Sequence, residues 1–125
     1  MLSQQPRVIP IYTSKGDAGA YLIFPYLFSC QGEWIGWITR DRQVYSVLGY
    51  YVGYLTNDPR ILRHESADDK PRLTPPPVPE KIKGPATVPL APMMSDLPIG
   101  YIDVLLDDPQ RLHTSDHGEL AQDMD

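Results

Sequence analysis

Three segments in the first half of the chain share one pattern. Ile11-Tyr12-Thr13-Ser14-Lys15-Gly16 is followed by Asp17-Ala18-Gly19-Ala20-Tyr21-Leu22. Leu27-Phe28-Ser29-Cys30-Gln31-Gly32 leads into Glu33-Trp34-Ile35-Gly36-Trp37-Ile38, and Val44-Tyr45-Ser46-Val47-Leu48-Gly49 into Tyr50-Tyr51-Val52-Gly53-Tyr54-Leu55. Each reads aliphatic, aromatic, hydroxyl, two variable residues and Gly, then small, aromatic, aliphatic. The leading positions 11, 27 and 44 recur about every 17 residues, which marks a repeated supersecondary unit.

Each unit reads as a β-hairpin. Aliphatic and aromatic residues favour strands, and a Gly between two such runs permits a tight turn. A recurring Gly argues against helix. On the return strand the period of two places Ala20 and Leu22, Gly36 and Ile38, or Gly53 and Leu55 on one face. Tyr21, Trp37 and Tyr54 fall on the other. The small residue at one register predicts that return strands approach closely around a common axis. Short hairpins cannot bury both faces alone, so the units must pack on one another.

A fourth copy is split. Ile61-Leu62-Arg63 keeps the leading spacing, and its return strand is expected at Pro98-Ile99-Gly100-Tyr101-Ile102, which matches Ile35-Gly36-Trp37-Ile38. The expected fold is all-β: four hairpin repeats around a pseudo-fourfold axis, closed into a ring that hides strand edges, with the fourth interrupted by a proline-rich arm. The boundaries are repeats and the first strand of the fourth copy over 1–66, arm over 67–97, returning strand over 98–106 and acidic tail over 107–125. Tyr101 joins Tyr21, Trp37 and Tyr54 in an aromatic row read as packing between hairpins.

The units at Gly16, Gly32 and Gly49, with a proline-rich tract downstream, resemble the bacterial four-fold beta-flower proteins. The resemblance covers roughly residues 8–63 and, more loosely, the tract to Ile102. In one respect the chain departs from the pattern: His64, Glu65 and Ser66 follow Arg63 where a turn Gly would stand. The resemblance implies a fold and no activity.

Composition divides where the repeats stop. Eleven of twelve aromatic residues lie between Tyr12 and Tyr54, and nine of fourteen prolines between Pro71 and Pro98. Residues 1–64 carry a net charge of +2 and residues 65–125 one of −7. The overall charge of −5 argues against general nucleic-acid binding, which needs basic surface. The longest apolar stretch, Ala18 to Phe28, is too short for a membrane helix and contains Pro25. With no secretory h-region at the N-terminus and Cys30 as the single cysteine, a reducing, cytoplasmic setting is expected.

Residues with chemical potential are scattered. His113 and His117 stand at i and i+4, a spacing that suits zinc, but the surrounding acidic stretch offers nothing to fix ligands, so no metal is expected. Asp103, Asp107 and Asp108 are read as solubilising a strand end rather than as an acid–base pair. Cys30 sits at a variable turn position, which argues against a nucleophile paired with His64. No catalytic residue and no cofactor is therefore expected.

The contact residues are sought elsewhere. Tyr50 and Tyr51 break the repeat pattern and are the candidates for an exposed contact. Pro76 and Pro79 satisfy a loose PxxP spacing within a polyproline II stretch. The arm also carries Val88, Leu90, Met93 and Met94, too apolar for a solvated spacer, so it is expected to dock in an aromatic groove of its own or a neighbouring module. Its 34 residues between Arg63 and Pro98 would reach on the order of 100 Å when extended. That length permits a dimer in which the arm lies at the interface. The reading is a non-catalytic interaction or assembly module whose partner is a protein or a second copy. The alternative is a small-ligand-binding protein or enzyme with a pocket between the hairpins.

Overall fold

A computed structural model describes residues 7–67, 70–85 and 87–112. Eight strands form one curled sheet in chain order: β1 (Ile9–Tyr12), β2 (Ala18–Ile23), β3 (Tyr26–Phe28), β4 (Trp34–Ile38), β5 (Gln43–Ser46), β6 (Tyr51–Leu55), β7 (Ile61–His64) and β8 (Tyr101–Asp103). Every strand pairs antiparallel with the next. The β7–β8 ladder sets Leu62 opposite Asp103 and Arg63 opposite Ile102, so the split fourth hairpin is joined across the arm.

One face of the sheet builds the core. The four leading aliphatics Ile11, Leu27, Val44 and Ile61 are fully buried and pack with Ala20, Leu22, Ile38, Val52 and Leu55. These side chains share one face because a strand with period two turns alternate residues inward. On the opposite face Phe28, Trp34, Trp37, Tyr45 and Val47 form a second, aromatic cluster. Trp37 stacks on Tyr45 with ring centroids 5.1 Å apart, and its indole N–H donates to the Ser46 carbonyl. Tyr54 meets Tyr101 edge to face at 6.0 Å. Trp37 and Tyr54 thus each meet an aromatic ring of the next hairpin.

The hydroxyl of the repeat has a clear task. In the first three hairpin turns the amide of Thr13, Ser29 or Ser46 donates to the carbonyl four residues on. The Ser29 and Ser46 hydroxyls accept the amides of Glu33 and Tyr50 in return. Thr39 and Thr56 do the same for Gln43 and Arg60 in the connections between hairpins. A short hydroxyl side chain can accept a nearby backbone N–H that the ladder leaves over, which is why it sits at a strand end. In the fourth copy Arg63 stands at this position. It is buried, and its guanidinium donates to the carbonyls of Tyr51 and Val52.

Three expectations need correction. A Cβ on Gly36 would lie 2.6 Å from the Tyr45 carbonyl oxygen, and one on Gly53 2.3 Å from that of Leu62. The small residue makes room for the leading strand of the next hairpin, not for return strands meeting at an axis. Gly100 differs from Gly36 and Gly53, with which the sequence aligned it. Its φ of +87° groups it with the turn glycines, and Ile99 before it is fully exposed. The return strand therefore begins at Tyr101, and the Gly100 carbonyl accepts the amide of Glu65 across the fourth turn. Finally, the strand ends at Asp103 rather than 106. Asp103 caps a short helix, α1 (Val104–Asp107), by accepting the Leu106 amide. A 3-10 turn at Pro109–Arg111 follows. Val104 and Leu112 enter the core, so the chain still contributes to packing beyond residue 107.

Candidate functional site

The arm lies on its own module and visits the turns in reverse order. The Leu73 amide donates to Gly49 O and the Ile82 amide to Gly32 O, each at 3.0 Å. Ala91 faces Gly16, with its Cβ 3.9 Å from where a Cβ of that glycine would be. At the third and second turns the approach is closer. A Cβ on Gly49 would fall 2.0 Å from the Leu73 carbonyl oxygen, and one on Gly32 1.9 Å from that of Ile82. Between these anchors Tyr26 donates its hydroxyl proton to Pro77 O and Tyr12 to Pro89 O. Proline has no N–H to satisfy, so at Pro77 and Pro89 the strap meets the module as an acceptor.

This arrangement has a signal in the sequence that the longer repeat obscures. Leu73, Ile82, Ala91 and Gly100 recur every nine residues, a stride of about 28 Å in polyproline II. Ile82 packs against the aromatic cluster, while Pro76, Pro79, Val88 and Met94 are half-buried. Leu90, Met93 and Ile99 are almost wholly exposed. The expected contact residues thus divide into some that hold the arm down and some that face outward.

Where the first hairpin meets the last, a polar cluster built on two buried side chains takes the place of a strand ladder. Asp103 is fully buried, and its Oδ2 accepts both the amide of Ser14, at 2.6 Å, and its hydroxyl, at 2.7 Å. Arg60, only 2% exposed, donates to Ser14 Oγ at 3.0 Å, to Asp58 at 2.6 Å and to the Ser95 carbonyl of the arm at 3.1 Å. The Tyr12 amide reaches Pro59 O in the β6–β7 connection. Asp103 therefore serves as a buried acceptor and helix cap, not as the solubilising residue expected from sequence. Asp107 is exposed and accepts the Asp103 amide. Asp108 pairs with Arg111. Sequence reasoning missed Arg60 and Ser14, because a lone Arg and a variable turn serine carry no spacing signal.

The two tyrosines that break the repeat do come together, at the mouth of a cleft of about 330 Å³ that Lys70, Arg72 and Arg111 complete. Tyr50 is 55% exposed. The Arg72 guanidinium stands 5.1 Å from its ring centroid, and Lys70 Nζ 4.9 Å from that of Tyr51. Arg72 is fixed by its Nε–H bond to Leu48 O at 2.6 Å. Burial pushes the Tyr51 phenol above its ordinary value, against the opposing Arg63 charge, so it is a neutral hydroxyl at physiological pH.

The remaining candidates stay apart or undescribed. Cys30 is an exposed free thiol that donates to Ala18 O, and burial of part of its surroundings pushes its pKa up rather than down. A reactive cysteine needs the opposite shift. His64 bonds Ser66 and meets the Tyr101 ring at 4.8 Å. His113 and His117 lie outside the described residues. Among the described residues no group of three His, Cys, Asp or Glu is placed to hold a metal, and no helix is long and apolar enough to cross a membrane.

No curated protein and no solved structure matches the chain. The model of the 4-fold beta flower protein family matches residues 9–99, 91 of the 125 residues of the chain, and the chain belongs to that family.

Proposed function

We propose that this chain is a non-catalytic interaction and assembly module. In this reading four hairpins stand around a pseudo-fourfold axis, the strapped arm closes the fourth, and the arm's outward side chains meet a second copy. Equal burial of Ile11, Leu27, Val44 and Ile61 supports the fourfold arrangement. A free Cys30 thiol is compatible with a cytoplasmic setting.

The observation that carries the assembly reading is the exposure of Leu90, Met93 and Ile99 on a segment otherwise pinned to its own module. Displaying large apolar side chains on a held segment costs solvation, and covering them recovers about 25 cal/mol per Å². A Leu90→Ser, Met93→Ser, Ile99→Ser variant tests this without touching an anchor. Light scattering should give twice the chain mass for the wild type and a single chain mass for the variant, with unchanged melting. A wild type that stays monomeric at high concentration, or a variant that keeps the dimer mass, contradicts the proposal.

A further inference from the structure

We propose that the cleft lined by Tyr50, Tyr51, Lys70, Arg72 and Arg111 binds a small phosphorylated ligand, with the phosphate on the three cations and a flat body against Tyr50. The site shares no residue with the apolar side chains of the arm, so it stands or falls separately from the assembly reading.

Charge is the first argument. Three cations converge on one opening of a chain whose net charge is −5, and among the described residues no carboxylate lines it. Two of the three are held by aromatic rings. A cation resting on a π-face is fixed in place yet keeps its full charge. Arg72 is further held through Nε, and Arg111 through its Nε ion pair with Asp108, which offsets part of its charge and orients the fork. Among the described residues the terminal nitrogens of both guanidinium groups have no acceptor, which leaves donors in the fork geometry that phosphate oxygens fit.

Size and shape are the second argument. About 330 Å³ lies at the small end of the range for ligand pockets, too little for a folded partner and enough for one phosphate with a ring attached. Tyr50 carries Arg72 over its ring and still leaves more than half its surface open, a platform for a planar group. The neutral Tyr51 hydroxyl adds a donor at the same mouth.

Calorimetry at low ionic strength with adenosine monophosphate as the probe tests the assignment. Adenosine, ribose 5-phosphate and a short poly-aspartate peptide serve as comparison ligands. Adenosine monophosphate should bind one per chain, at least tenfold tighter than each of the three. Lys70→Gln and Arg111→Gln should each weaken it at least tenfold while melting as the wild type does. Equal binding of adenosine would remove the role of the phosphate, and equal binding of ribose 5-phosphate that of the Tyr50 platform. Tighter binding of the acidic peptide, or undiminished affinity in the Lys70→Gln, Arg111→Gln double variant, would overturn the assignment.

Discussion

Asp103 joins three parts of the chain through one carboxylate. Its Oδ2 holds the first hairpin turn at Ser14, its Oδ1 caps α1 at Leu106, and its strand register fixes β8 against Leu62. Removing the carboxylate leaves the Ser14 amide without its acceptor and the buried Arg60 cluster with Asp58 as its one acidic member. Hydrogen bonds to a buried charge are worth about 1.5–3 kcal/mol each, so Asp103→Ala should lower stability by about 3 kcal/mol in urea denaturation. Asp107→Ala, at an exposed position four residues on, should cost under about 1 kcal/mol. Equal midpoints for the two variants would show that the seam is not held by Asp103. None of this was legible from residue types. An aspartate near a strand end is ordinarily solvated, and only the curl of the sheet buries this one.

At the scale of elements, three hairpin turns share a conformation but not a neighbourhood. Gly16, Gly32 and Gly49 have φ of +92°, +86° and +92°. Alanine at any of them costs roughly 1–2 kcal/mol of backbone strain. At Gly32 and Gly49 the new methyl would also meet an arm carbonyl, whereas at Gly16 it has room. Thermal unfolding should therefore place Gly16→Ala closest to the wild type, with Gly32→Ala and Gly49→Ala clearly lower. Three equal shifts would mean that the arm adds nothing at these turns. The hairpins themselves were readable from sequence, since Gly and alternating apolar residues dictate local geometry. The docking of the arm was readable only as a tendency. Its nine-residue stride is carried by Leu73, Ile82 and Ala91, which share neither size nor shape. Gly100 was misplaced for a similar reason: a Gly before an aromatic residue fits both a turn and the interior of a return strand.

For the whole molecule, the arm turns an open meander into a tied one. It leaves β7 at the fourth turn, crosses the third, second and first turns in that order, and returns as β8 beside its starting strand. Burial of the aromatic cluster, the seating of Ser95 on Arg60 and the pairing of β8 all depend on that path. Within the arm the bonds that define it are few. Leu73 and Ile82 donate to the module, while Val78 and Lys83 have no backbone acceptor among the described residues. Native-state amide exchange followed by NMR reads this alternation directly. The account predicts slow exchange at Leu73 and Ile82, set between fast-exchanging amides at Val78 and Lys83. Exchange at Leu73 and Ile82 as fast as at Val78 would contradict it, because the arm would then not be bound to the turns.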